Sequence, residues 1–292
     1  MKFFPAHLPI LLCCLSFNAS ANDAAMNDGS TGPEPVGWRS GKESIIQMKS
    51  EHIQIDFGLN SSKVHAAFTF VSHKKSGPAV QKLGFPDYSR SEMDGDIVGP
   101  VRKLITKVNG KIVPSKLEEG YFYVVEKEDG SFHYDKREKP KPGDEGGARR
   151  FAWHVIQVSF PPGEEVIVER IYENDNGGNT SFESFFVYET RTGGAWHGKI
   201  EKLTAEVRIG DDVDLSLVQF TPKTGWKPSG DGKTHTLVWN NFEPRTDDNR
   251  TYFDVLTLDT RRFAQLNKDL PDEFPSKEKW IENWKKMHAE RE

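Results

Sequence analysis

Cysteine is almost missing from this chain: the two present, Cys13 and Cys14, both stand in its first stretch. A mature protein without that stretch has no disulfide, no thiol nucleophile and no cysteine-ligated metal. Eukaryotic secreted chains ordinarily rely on disulfides, so an exported chain of this size without them points to a bacterium. No apolar run approaches the roughly 20 residues that a membrane-spanning helix needs. No excess of one charge appears either; the net charge is -5 at pH 7 with both signs interspersed, which argues against a nucleic-acid footprint. The nine histidines form no H-x-H or H-E-x-x-H spacing. There is no G-x-S-x-G turn, and the "NGG" and "TGG" stretches lack the strand–loop–helix context of a phosphate cradle. In the calcium-binding helix–loop–helix pattern glycine stands sixth. Counting from Asp175, it falls third and fourth instead. The sequence therefore nominates no catalytic group, no metal ligand set and no cofactor.

What is present begins with an export signature. Lys2 supplies a positive start, residues 8–17 form a short apolar run, and Ala19-Ser20-Ala21 has the small-x-small form that a signal peptidase accepts. Residues 1–21 are expected to be a signal peptide cleaved after Ala21, sending the protein to the periplasm or out of the cell. The rival reading is a lipoprotein signal at "LPILLCC", but bulky Leu12 stands where a small residue is expected. Residues 22–40, "NDAAMNDGSTGPEPVGWRS", are small and polar with Pro and Gly, as in a disordered linker.

Period-two alternation then takes over. In "EHIQIDF" Ile53, Ile55 and Phe57 alternate with His52, Gln54 and Asp56; in "KVHAAFTFV" Val64, Ala66, Phe68 and Phe70 share a face. Asn109-Gly110 between β-type flanks is a two-residue hairpin turn, because both positions need positive φ. Further strands are expected over 121–125, 151–160, 165–172, 182–190, 201–209, 214–220, 234–242 and 251–258, separated by Gly/Pro/Asn/Asp turns. Helical periodicity is absent until the tail. There Ser276 is a candidate N-cap and Trp280, Ile281, Trp284 and Met287 recur at helix spacing. Residues 126–150 are dense in charge, Pro and Gly, and read as a polar surface excursion.

The expected fold is all-β: two packed antiparallel β-sandwich units with a short C-terminal amphipathic helix. The expected units are an N-terminal sandwich over 41–162 carrying the polar insertion 126–150, a C-terminal sandwich over 163–262, and a helical tail over 263–292.

Candidate sites are few. Glu169 and Glu183 are strand carboxylates, and for Glu169 a partner such as Arg170 or Arg208 is the ordinary expectation. Tryptophans could stack on a sugar ring, but a buried indole filling core volume is the commoner use. Trp153 and Trp196 are each followed by histidine. Alternation predicts Trp153 inward and His154 outward. Trp196, His197, Trp153 and His154 are the candidate binding residues. Gly193, Gly194 and Gly198 around Trp196 supply backbone freedom for a corner that folds over a sheet end.

The string Thr192-Gly193-x-x-Trp196-x-Gly198-x-Ile200, followed by an alternating strand, resembles a signature of bacterial secreted β-sandwich proteins of unknown function. Tyr188 lies upstream as in those chains, "WNNFEP" (Trp239 to Pro244) matches a later W-x-x-F-x-P element, and Gly84-Phe85-Pro86 matches a "GFP"-like turn. Lys199 departs from the pattern, where proline is expected. The resemblance implies two packed β-sandwich units and export, and no activity. The resulting expectation is a non-enzymatic envelope protein that binds or scaffolds a protein or a glycan. A carbohydrate-binding or carbohydrate-active site between the two sandwiches is the alternative. A cleft enzyme would gather several of Glu169, Glu183, His154, His197 and Asp254; a scaffold would leave them dispersed.

Overall fold

A computed structural model of the chain describes residues 24–27, 34–35, 44–87, 101–126, 132–137, 149–179, 181–244, 252–269 and 275–290. The signal peptide expected over 1–21 lies outside these.

The protein is all-β apart from two helices that close the chain. Numbered along the chain, eight strands build the largest sheet. Edge to edge these are β16 (Lys227–Pro228), β17 (Thr234–Phe242), β14 (Ile200–Ile209), β3 (Ile46–Phe57), β4 (Ser61–Ser72), β11 (Glu165–Asp175), β6 (Arg102–Val108) and β7 (Lys111–Ile112). Six strands form a second sheet, in the order β2 (Glu34–Pro35), β1 (Ala24–Asn27), β5 (Ala79–Asp87), β10 (Arg149–Phe160), β8 (Lys116–Glu126) and β9 (Phe132–Arg137). The last four are β12 (Gly177–Gly178), β13 (Glu183–Glu189), β18 (Tyr252–Leu258) and β15 (Val218–Thr221). Helices α1 (Thr260–Asp269) and α2 (Lys277–Glu290) follow.

The alternation in sequence decides which side of the large sheet is buried. Ile53, Ile55 and Phe57 of β3, Val64 to Phe70 at every second position of β4, and Val166 and Val168 of β11 join one apolar core with Leu203, Ala205, Val207 and Ile209 of β14. Both smaller sheets pack on that face. Phe70 meets Phe160 of the six-stranded sheet with ring centres 5.8 Å apart, and Trp239 meets Phe253 of the four-stranded sheet at 6.2 Å. The two sandwiches thus share one continuous sheet. Its ladders are antiparallel except one: β14 runs parallel to β3, Lys202 to Ile209 beside Ser50 to Phe57.

That sharing corrects the division expected between 162 and 163. β11, which follows the proposed boundary, pairs with β4 and β6, which precede it, and β14 pairs with β3. Periodicity locates strands but carries no information about which strand lies beside which. Three further expectations need revision. Within the linker 22–40, Ala24–Asn27 pairs along β5, and Glu34–Pro35 pairs beside it. Within the excursion 126–150, Phe132–Arg137 is an edge strand on β8, and Arg149 and Arg150 already belong to β10. The "GFP" triplet Gly84-Phe85-Pro86 is no turn; it lies in β5. Pro86 stands there opposite Trp153 of β10, and the described part of β1 pairs with Lys82 to Gly84.

Turn and cap chemistry behaves as its residues dictate. Asn109 and Gly110 take φ of 48° and 75° between β6 and β7, the left-handed pair that a two-residue hairpin needs. Ser276 caps α2, its Oγ accepting from Lys279 N at 3.3 Å. Helix α1 begins at a second cap, buried Asp259, whose Oδ1 accepts from the backbone N–H of Arg261 and Arg262. Trp284 is buried with Phe182, Leu217, Leu258 and Phe263, and Trp280, Ile281 and Met287 pack around them. The apolar stripe read from the tail therefore covers the outer face of the four-stranded sheet. No described helix is long and apolar enough to cross a membrane.

Candidate binding groove

The opposite face of the eight-stranded sheet is where the polar halves of the alternating strands come out, and the ladder register orders them into rows. In the first row Thr234, Arg208, Asp56, Lys63, Glu173 and Arg102 stand side by side on six successive strands. In the second the order is Thr236, Glu206, Gln54, His65, Ile171 and Ile105. Five inter-strand steps of about 4.8 Å make each row about 24 Å long. The two rows border a depression of about 710 Å³ running across the strands.

Charge alternates along the first row. Arg208 Nη2 lies 2.8 Å from Asp56 Oδ1, and Lys63 Nζ lies 3.9 Å from Glu173 Oε1. At the far end the β6–β11 ladder shifts register between Ile171 and Glu173, and Lys103 takes φ of 53°. A non-glycine residue in that region is uncommon, and bulges of this kind re-aim side chains. Here the bulge brings Lys103 Nζ to 2.7 Å from Glu173 Oε2, while Arg102 pairs with Asp175 at 2.6 Å. The hydrogen bond from Lys103 holds the Glu173 carboxyl below its ordinary range. Two histidines complete the face: His65 Nε2 is 2.9 Å from Glu169 Oε1, and His52 Nε2 is 3.3 Å from Glu206 Oε1. Ile105 and Ile171 give one end an apolar lining.

The residues singled out from the sequence lie elsewhere. Trp196 is 1% exposed, its ring 4.6 Å from that of Phe70 in the main core, and cannot offer a face to a sugar. The corner around it is a 3-10 turn over Arg191–Ala195; of its three glycines only Gly198 has positive φ, 62°. His197 is exposed beside it. Trp153 is buried on the other side of β10 in a small cluster with Val155. His154 lies on the side of Ile156, Val158 and Phe160, opposite Phe85, with Nε2 3.4 Å from Asp87 Oδ1. The inward–outward assignment for this pair is thus reversed: β10 is covered on both faces here, so alternation loses its contrast.

Glu169 pairs with His65 and with neither arginine. Arg170 faces the other way, fully buried, donating from Nη1 to Thr106 Oγ1 at 2.6 Å with its guanidinium over the Phe85 ring, and Arg208 belongs to Asp56 three strands away. Glu183 is the buried carboxylate of the molecule's other polar centre. Its Oε1 accepts from Trp284 Nε1 at 2.8 Å and from His288 Nε2 at 2.6 Å, and its Oε2 accepts from Asn179 Nδ2 at 2.6 Å. Burial alone would raise its carboxyl; the bonds from His288, Asn179 and Trp284 outweigh that and keep it low. Asp254 lies on the same sheet face, where burial pushes its carboxyl up to about 6.

Glu169, His154 and His197 therefore occupy three separate places, and Glu183 and Asp254 share one sheet face, with Glu183 opposite Leu258 and Asp254 opposite Val187. Among the described residues no three of His, Cys, Asp and Glu converge as a metal site would require. Of the stretches weighed for calcium, Asp175 to Asn179 joins the end of β11 to the short strand β12, with Asn176 bonding Gly58 O and Ser62, and Gly210 to Asp214 is a turn in which Asp212 accepts from Leu59 N at 3.0 Å. The groove residues carry a sequence signal, being the polar members of the alternating strands. What the sequence conceals is the register that lines them up.

No protein-family model matches the chain and no curated protein matches it. Among solved structures the chain is similar to a Legionella pneumophila protein provisionally named a nutrient binding protein, with 17% identity over 80% of this chain and 72% of that one and a TM-score of 0.50. That likeness shows a shared fold. Looser similarity extends to an M1 zinc metallopeptidase from Deinococcus radiodurans, 9% identical over 74% of this chain and 43% of that one, TM-score 0.32. Leukotriene A4 hydrolase from Saccharomyces cerevisiae is 8% identical over 73% of this chain and 29% of that one, TM-score 0.31. The chain spans less than half the length of either of these two proteins.

Proposed function

We propose that this is an exported binding protein of the bacterial envelope, and that the groove across the eight-stranded sheet receives an extended, charged segment of another protein. The observation that carries the reading is the row of alternating charges bordering a depression of about 710 Å³ on the sheet face that, among the described residues, no second layer covers. Its length of about 24 Å matches about seven residues of extended chain at about 3.3 Å each. Arg208, Asp56, Lys63 and Lys103 are exposed and Glu173 is half-buried, and exposed pairs hold one another by only about 0–1 kcal/mol. An incoming segment can therefore exchange its own charges for them at little expense. The name of the Legionella protein of like fold accords with a binding role. Export rests on the signal sequence over 1–21. The dispersal of Glu169, His154 and His197 favours a scaffold over a cleft enzyme.

A glycan fits this groove less well. Among the described residues that line it, the one Phe, Tyr or Trp is Tyr172, whose side chain is buried on the core side, so these residues offer no flat ring to a pyranose face. The test is a pair of arrays, one of short peptides of varied charge order and one of glycans, probed with the mature chain. Peptides should be retained, retention should fall with added salt, and Lys103→Ala with Arg208→Ala should abolish it while melting stays that of the parent. Retention of glycans instead, or peptide retention indifferent to both substitutions, would remove the groove from the argument.

A further inference from the structure

The corner that follows Trp196 brings two exposed histidines together. His73 leaves the end of β4 and His197 follows the 3-10 turn. Both are tied to the start of β3, His73 N donating to Ile45 O at 3.0 Å and His197 N to Ile46 O at 2.8 Å. Their ring centres are 4.9 Å apart and their planes are inclined by 57°, so the imidazoles are tilted, without parallel stacking. Two imidazoles bound through nitrogen to one ion at about 2.0–2.1 Å place their ring centres about 4.5–5.2 Å apart for angles between square and tetrahedral. The observed separation falls inside that range.

One of the rings is also held in the form that a ligand needs. Gln47 Nε2 donates to Lys199 O at 2.9 Å. A backbone carbonyl only accepts, so this bond fixes which way the amide points and turns Gln47 Oε1 toward His73 Nε2, 3.0 Å away. An amide oxygen only accepts as well, so His73 carries its proton on Nε2 and keeps the lone pair on Nδ1. This carbonyl–amide–imidazole relay is the kind of outer support that sets tautomer and orientation in metal-binding histidines.

We propose that His73 and His197 form a two-imidazole site for a late first-row divalent ion, with His73 binding through Nδ1 and Gln47 acting as a positioning residue. Among the described residues no third His, Cys, Asp or Glu joins them, so water fills the remaining positions. That makes an exchangeable surface site, distinct from a structural metal. Lys74 and Lys199 next to it further weaken cation binding. Imidazole ligands and the ordinary order of divalent affinities favour Cu²⁺ over Ni²⁺ and Zn²⁺. The site lies at a strand-end corner and does not depend on the groove.

The test uses the untagged mature chain, because a histidine tag would bind the same ions. Titration with Cu²⁺ and with Zn²⁺, followed by calorimetry and by the imidazole resonances, should show one saturable equivalent, tighter for Cu²⁺, that shifts the rings of His73 and His197. Removing either histidine as Ala should abolish that equivalent, and Gln47→Leu should weaken it by about 10-fold. Both histidines are exposed, so the Ala variants should melt like the parent. The proposal is overturned if no saturable binding appears, if either histidine can be removed without effect, or if Gln47→Leu binds as well as the parent.

Discussion

Asp254 offers the sharpest test of how the interior is arranged. It sits on β18 between Val187 of β13 and Thr221 of β15. Burial pushes its carboxyl from the ordinary 3.8 to about 6, against hydrogen bonds from Thr221 that work the other way, with Glu183 adding a like charge and His288 an opposing one. A carboxyl whose folded value lies above its unfolded one favours folding when protonated. The chain should therefore gain stability from Asp254 as pH falls from above 6 to below 3.8, and should lack that gain at pH 7.5. The difference between about 6 and 3.8, at about 1.36 kcal/mol per pH unit, comes to about 3 kcal/mol. Asp254→Asn removes the charge with little change of shape. At pH 7.5 it should stabilise the fold by up to about 3 kcal/mol, a rise in Tm of several degrees at about 2–4 °C per kcal/mol. At pH 4.5 the folded carboxyl is largely protonated but the unfolded one is still mostly ionised, so the advantage of the Asn variant should shrink to about 1 kcal/mol. Denaturant unfolding and thermal melts at the two pH values read this directly. An Asn variant less stable than the parent at pH 7.5 would mean that the carboxylate is engaged by a strong partner. An equal increment at both pH values would mean that its charge is not what matters.

Trp196→Ala should cost about 3–5 kcal/mol, the usual result of emptying a buried aromatic site, while His197→Ala leaves Tm nearly unchanged. Glu183→Ala leaves the indole of Trp284 and the imidazole of His288 without their shared acceptor, and should lower stability by about 3 kcal/mol and speed hydrogen exchange along α2; protection of α2 equal to that of the parent would show that apolar packing alone holds it. Replacing residues 127–148 with a short glycine–serine link removes the edge strand β9 and should lower Tm only slightly, as measured by a thermal melt, because β8 keeps its pairing with β10; failure to fold would show that β9 is needed to hold β8 in place.

Much of the architecture could be read residue by residue. Ile53, Ile55 and Phe57 alternate with His52, Gln54 and Asp56, and the first set is buried while the second is exposed, as a strand with one covered face requires. Asn109-Gly110 and Ser276 were legible because each conformation has a local chemical cause. What could not be read has causes that are not local. β5 contains Gly84 and Pro86 and carries little alternation, so it becomes a strand only because β10 pairs along its whole length. Helix α1 is ten residues long and follows a strand directly, and its cap, Asp259, resembles any loop aspartate until its carboxylate is seen beneath Arg261 and Arg262. Glu183 was noticed as a strand carboxylate, yet its partner His288 stands 105 positions away. The groove was hidden for the same reason: its rows combine residues from β17, β14, β3, β4, β11 and β6, and only the pairing puts them in line.

That dependence on register separates the two faces of the large sheet in what substitution can do to them. Side chains alternate with a period of two, so a one-residue slip between β3 and β4 would turn Phe68 and Phe70 outward and Lys63 and His65 inward. The buried face forbids the slip, and in doing so it fixes the order Arg208, Asp56, Lys63, Glu173 on the other side without help from the charges themselves. Arg208, Asp56 and Lys63 are exposed, and exposed pairs contribute about 0–1 kcal/mol each. The groove's charge order is therefore free to change with little loss of stability, while its spacing is not. Exchanging Asp56 and Lys63 for Lys and Asp, as a double substitution, tests the point: Tm should stay within a degree or two of the parent, and the peptides retained on an array should change in charge order but not in length. A large loss of stability would show that the ion-pair row supports the fold, and an unchanged peptide preference would show that the row does not read its ligand.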